Sequence, residues 1–98
     1  MALTPKQRAH LKSLAHHLKP VVFVGKEGIT DLTVQSIEEA LRTRELIKVK
    51  VLEAAPLHVR EAGPELEERV ADSSLVQTIG RIAILYRPHP AKPEIRRP

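Results

Sequence analysis

The sequence predicts a single-domain α/β sandwich over residues 1–88, built on a four-stranded mixed sheet, and three observations predict it. Segments with apolar residues at helical spacing alternate with short β-prone runs, in the order helix, strand, helix, strand, helix, strand, strand. The run LIKVKVL alternates strictly from Ile47 onward, the period of a half-buried strand. Two further apolar runs meet at Gly80-Arg81, a hairpin with glycine at the first turn position. Strand–helix–strand units imply parallel pairing with right-handed crossovers, and the closing hairpin adds one antiparallel neighbour. At 98 residues the chain can bury one modest core and not two.

Thr4-Pro5 starts the first helix, a hydroxyl cap followed by proline at the first helical position. Leu11, Leu14, Ala15 and Leu18 form its apolar stripe. Advancing about 100° per residue puts Arg8, Lys12, His16 and Lys19 on one flank of that stripe, and Lys6, His10 and His17 on the other. No acidic residue precedes Glu27. A solvated helix ordinarily mixes its signs to form i,i+4 pairs. This one does not, which is the pattern of a helix facing an anion.

Pro20 ends that helix, and Val21 to Val24 is a continuous apolar run, as in a strand buried on both faces. Gly25, Lys26, Glu27 and Gly28 form a turn. Thr30 then caps a second helix, with Asp31 in its first turn and Ile29 and Val34 placed as a hydrophobic staple. No glutamate stands three residues after Thr30, so a full capping box is not expected. Val34, Ile37, Ala40 and Leu41 supply the buried face, and Arg42 and Arg44 suit the negative end.

In the second strand Ile47, Val49 and Val51 point one way, Lys48 and Lys50 the other. Two lysines on one sheet face suit a phosphate-binding surface, the solvated side of a half-buried strand, or a charged edge that discourages aggregation. Gly63-Pro64 interrupts the next segment. A helix from Pro64 to about Ser73 is expected, with Leu66, Val70 and Ala71 inward and an earlier turn at Leu57 and Val59 kinking into it. Val76 to Ile79 and Ile82 to Tyr86 complete the sheet, the run IAILY reading as a central strand. Residues 89–98 read as a proline-rich basic tail without regular structure.

Composition narrows the function classes. Phe23 and Tyr86 are the only aromatic residues besides histidine, so the core must be aliphatic and a platform of several stacked aromatics is not available. The absence of cysteine removes disulfides and thiolate metal sites and suits a reducing cytoplasm. No apolar run reaches membrane-spanning length, and a soluble, cytoplasmic, monomeric protein is the expectation. The net charge of +4 is segregated: residues 1–52 hold nine Lys/Arg against five Asp/Glu, residues 53–80 two against six, residues 81–98 five against one. Segregated basic charge is what a polyanion-binding surface needs.

The turn Gly25-Lys26-Glu27-Gly28 is the stretch richest in chemistry. Between a strand and a capped helix, it places backbone N–H groups, a positive helix end and one lysine in a small volume, a setting for a phosphate. Lys26 is the charged contact at its tip, and Glu27 is expected to point away. No Gly-Lys-Ser/Thr follows, so it is not a P-loop, and the Gly-x-Gly of a dinucleotide site is absent. No cofactor is expected. An enzyme finds little support: the serines fall in or beside expected helices, no carboxylate pair stands out, and none of His10, His16, His17, His58 and His89 repeats the i,i+4 spacing of a helical zinc site.

The blocks LTPKQRAHLKSLAHHLKPVVFVGKEGIT, IEEAL, ELIKVKV and IGRIAILYRP, in that order across roughly residues 3–88, resemble the small bacterial RNA-binding proteins of the YhbY type, stand-alone CRM domains (chloroplast RNA splicing and ribosome maturation). The resemblance implies a fold similar to the C-terminal domain of translation initiation factor 3. It also implies a Gly-x-x-Gly loop used for RNA by analogy with KH domains, and an association with precursors of the large ribosomal subunit. Carried onto this chain, the loop is Gly25, Lys26, Glu27 and Gly28, and the basic first helix contributes Arg8, Lys12, His16 and Lys19. Lys48 and Lys50 extend that set. The expected function is therefore non-enzymatic binding of RNA, ribosomal RNA above all, by phosphate contacts and shape. A protein-interaction adaptor that uses the acidic segment 61–72 to meet basic ribosomal proteins is the alternative, and a DNA-binding protein a third reading.

Overall fold

The structure, a computed structural model, describes residues 3–90. Its elements run α1 (Pro5–Ala15), β1 (Val22–Val24), α2 (Asp31–Thr43), β2 (Leu46–Val51), α3 (Val59–Arg69), β3 (Ser74–Ile79) and β4 (Ile82–Tyr86). The four strands form one sheet in the order β1-β2-β4-β3, with β1 parallel to β2 and both other pairs antiparallel. The α/β class, the element order and the mixed sheet are those the sequence predicts. The closing hairpin does more than add one neighbour: β4 inserts between β2 and β3 and is antiparallel to both. Gly80, at φ 58, makes that hairpin's turn.

Strand alternation divides the core in two. Val22, Val24, Ile47, Val49, Val51, Ala83 and Leu85 meet Ile37 and Leu41 of α2 and Val59, Ala62 and Leu66 of α3 on one face. On the other, Leu46, Val76, Ile84 and Tyr86 meet Leu11 and Ala15 of α1, with Leu3 beneath. The domain thus has three layers, α1 on one side of the sheet and α2 with α3 on the other. Tyr86 is fully buried, so the smaller core is aliphatic around one aromatic ring.

Several expectations are corrected. β1 is an edge strand and buries one face only, with pattern buried–exposed–buried, because no strand lies beyond it. An all-apolar run conceals this alternation. α1 ends at Ala15, so His16 caps the helix and Lys19 lies beyond it; Leu14 is exposed and drops out of the apolar stripe. α2 does have a capping box: Thr33 replaces the missing glutamate, its hydroxyl accepting from the Thr30 N–H at 3.1 Å while the Thr30 hydroxyl accepts from the Thr33 N–H at 3.2 Å.

The third helix is corrected most. It starts at Val59, not Pro64, because His58 caps it: His58 Nδ1 accepts from the Arg60 N–H, and Glu61 accepts from the His58 N–H, both at 3.1 Å. Pro64 sits inside the helix, and Ala71 is exposed beyond its end. Gly63 is a packing position. A Cβ there would lie 3.0 Å from Leu75 Cδ2 and 3.2 Å from Thr78 Cγ2, so its hydrogen lets α3 settle against β3.

Beyond β4, the buried Glu45 anchors the chain. Its carbonyl accepts from the Arg87 N–H at 2.8 Å and its carboxylate from the His89 N–H. Arg87 Nη1 reaches both carboxylate oxygens of Glu38 on α2, at 3.1 and 3.0 Å. Of the tail expected over residues 89–98, His89 and Pro90 are described and residues 91–98 lie outside the described residues.

Candidate nucleic-acid interface

The parallel pair β1–β2 brings the chain to the glycine turn at the C-terminal end of β1. The Gly28 N–H donates to the Gly25 carbonyl at 2.9 Å, closing the turn and leaving Lys26 and Glu27 exposed at its tip. The two glycines do different work. Gly28 has φ 74, a left-handed conformation that costs an ordinary residue about 1–2 kcal/mol, and a Cβ there would press on Pro56 Cγ at 3.3 Å. Gly25 has an ordinary φ, and its nearest neighbour would be Leu52 Cδ1 at 3.9 Å. Folding needs glycine at 28. At 25 the bare backbone is free to be approached closely by a ligand.

A third element secures the turn. Arg69, in the last turn of α3, donates from Nη1 to the Ile29 carbonyl at 2.8 Å and from Nη2 to Asp31 Oδ1 at 3.0 Å. Sequence reasoning missed this clamp, since Arg69 lies 40 residues from Ile29 and reads as an ordinary basic residue near a helix end.

The other candidate residues divide among three places. Lys50 is exposed on the sheet face opposite the larger core, beside Phe23 on β1, and Lys48 is half-buried on the same face. Lys12 and His16 of α1 border that face, lining a small cleft with Lys48, Gln77, Ile79 and Ile82. Lys26 and its turn adjoin the face at the end of β1. These residues the fold brings toward one another. Lys19 is not among them: it sits before β1, beside Val21, Arg44 and Leu46 at the other end of the sheet.

Arg8 is engaged within the fold. Its Nη1 donates to the Leu75 and Val76 carbonyls at 2.6 and 2.8 Å, where a register shift between Leu75 and Gln77 breaks the β3–β4 ladder. Glu67 of α3 accepts from the Leu75 N–H at 2.6 Å. One arginine and one glutamate from opposite layers thus satisfy the groups the bulge leaves unpaired. Glu67 is accordingly engaged inside the acidic segment, and Glu65 pairs with Arg69 at 3.4 Å.

The electrostatics of the face follow from which cations lack partners. Arg69, Arg81 and Arg87 have carboxylates within 4 Å, whereas none of Lys12, Lys26, Lys48 and Lys50 forms an ion pair with a described residue. Exposed ammonium groups beside loop amides are equipment for holding phosphates. Among the described residues no cluster of histidine and carboxylate side chains could hold a metal ion, and no helix is long and apolar enough to cross a membrane.

A three-layer α/β domain with a glycine turn and, beside α1, sheet-face lysines that form no ion pair with a described residue has the equipment of a nucleic-acid-binding module. The family model of the CRS1/YhbY (CRM) domain matches residues 3–87, and the chain belongs to that family. It is 42% identical over 96 residues to YqeI of Bacillus subtilis, named a probable RNA-binding protein, covering 98% of this chain and 99% of that one. It is 45% identical over 86 residues to a Haemophilus influenzae protein named RNA-binding protein, covering 88% and 86% respectively. The solution structure of a hypothetical protein from Staphylococcus aureus superposes with a TM-score of 0.75 at 38% identity, covering 99% of this chain and all of the other.

Proposed function

We propose that this protein binds RNA through its backbone, with the Gly25–Gly28 turn and Lys26 holding one phosphate and Lys50, Lys48, Lys12 and His16 following the adjoining chain. The observation that carries this reading is the continuity of the turn with a sheet face whose lysines have no carboxylate partners among the described residues. The names of the relatives support RNA as the polyanion. Lys19 stands apart from this surface, and Arg8 contributes to it by holding the bulge that shapes β3.

The setting we propose is the cytoplasm, where the protein acts as a monomer on ribosomal RNA in precursors of the large subunit. The family resemblance favours this setting, as does the phosphate-centred chemistry, which reads RNA shape more than sequence. Filter binding across a salt series tests the contact: Lys26→Glu should weaken RNA binding while thermal unfolding stays that of the wild type. Unchanged affinity would overturn the role of the turn. Crosslinking in growing cells tests the setting, since crosslinks should map to large-subunit precursor RNA.

A further inference from the structure

We infer that Phe23 is a stacking platform for an unpaired RNA base, at the head of a strip that crosses the whole sheet. The inference rests on the RNA-binding reading above and adds to it a contact with bases. Registers fix the strip: Phe23 pairs with Lys50, Lys50 with Ile82, and Ile82 with Ile79. All four project from the face that carries α1, because their strand neighbours Val24, Val51 and Ala83 point into the opposite core. α1 packs over the far part of this face, on Leu46, Ile84 and Tyr86; Ile82 is partly buried against that core, and Phe23 and Lys50 beyond it are left exposed.

Its two ends are more than half exposed, Phe23 at 54% and Ile79 at 55%. Three inter-strand spacings give the strip a length of about 15 Å. Four-stranded RNA-binding sheets stack two or three bases on several aromatic residues, and the single exposed ring here has room for one. The exposed end of the strip meets the two things a single strand offers. The ring of Phe23 presents a flat apolar surface to a base, and Lys50 beside it presents an ammonium to the backbone.

Charge complementarity decides the occupant. Lys50 and the bordering Lys48 and Lys12 have no carboxylate partners among the described residues, so the strip is an apolar floor in a cationic frame. A wholly apolar partner would bury those ammonium groups unpaired. A single-stranded RNA satisfies both. Phe23 is also two residues from Gly25, about 7 Å along the strand, so a base on the ring and a phosphate at the turn belong to one short stretch of chain. Paired bases have no free face to offer, so the requirement is for unpaired RNA.

The test compares a labelled oligouridylate with a ribose–phosphate chain of equal length lacking bases. The wild type should bind the oligouridylate more tightly. Phe23→Ala should lose about fivefold or more on it and nothing on the base-free chain. Phe23→Trp should keep the preference, and as the chain's sole tryptophan its fluorescence should be quenched by the oligouridylate alone. If Phe23→Ala leaves the preference intact while Lys26→Glu weakens both ligands, stacking is overturned and the backbone reading stands. If the wild type binds neither ligand, both fall. Sedimentation of the free protein supplies the remaining outcome: self-association that Phe23→Ala abolishes would give the strip to a second copy and overturn its assignment to RNA.

Discussion

The guanidinium of Arg69 holds the carbonyl of Ile29 at 2.8 Å, so the end of the acidic helix fixes the exit of the glycine turn. Asp31, which Arg69 also meets, is fully exposed, and an ion pair in water contributes little. The bond to the carbonyl is the one with mechanical consequence. Arg69→Ala should cost about 1 kcal/mol of stability, accelerate amide exchange at residues 25–30 and weaken RNA binding, whereas Asp31→Asn should leave all three unchanged. Hydrogen-exchange mass spectrometry with filter binding checks both.

The two glycines of the turn should separate folding from binding. Gly25→Ala meets only Leu52 Cδ1 at 3.9 Å and should unfold within about 0.5 kcal/mol of the wild type. Any loss of RNA affinity in that variant then reports close approach of the ligand to the backbone. Gly28→Ala must adopt φ 74 against Pro56 and should lose about 1–2 kcal/mol whether or not RNA is present. Denaturant unfolding beside filter binding distinguishes the two.

Replacing the basic residues of α1 should not act uniformly. Arg8→Met removes the donor from two carbonyls at the β3 bulge and should destabilise the domain by about 1–3 kcal/mol. Lys12→Glu, at an exposed position on the same flank, should leave unfolding unchanged and reduce RNA affinity. Urea titration of each variant checks the first, and binding at two salt concentrations the second.

Salt dependence should count the contacts. If Lys50 meets a phosphate on a single strand, Lys50→Gln should reduce the slope of log K against log salt by about 0.7. An unchanged slope would place that lysine outside the interface.

At Gly63, two effects oppose one another. Alanine would favour the helix by up to about 1 kcal/mol but press on Leu75 and Thr78, for a net effect near zero. Gly63→Val adds two methyl groups to a contact already at 3.0 Å and should cost about 2 kcal/mol or more, a shift visible in a thermal melt.

Much of the fold was legible because its elements are locally consistent. Thr4-Pro5, Thr30-Asp31, the alternation after Ile47 and the Gly80 turn each state an element boundary within a few residues. What escaped depends on the partner layer. Nothing local tells that Gly63 faces Leu75 instead of breaking a helix, or that VFV lies at an edge; the Thr33 cap is local, but uses a hydroxyl where glutamate is the usual signal. The candidate site shows the same division. The glycine turn and the basic flank of α1 are sequence patterns, but the occupation of Arg8 by a bulge 67 residues away and the exposure of Phe23 belong to tertiary structure.

The position of β4 has a consequence for how the chain comes to be folded at all. The last of the four described strands in chain order is an interior one, so a chain lacking Ile82–Tyr86 has its other strands in two unconnected pieces, β1 with β2 and β3 by itself. Closure then waits for β4 and for pairings as distant as Leu46 with Tyr86. Until that moment the strip from Phe23 to Ile79 does not exist as a surface. If RNA binds there as proposed, its binding reports a closed sheet, and a chain without β4 lacks the surface.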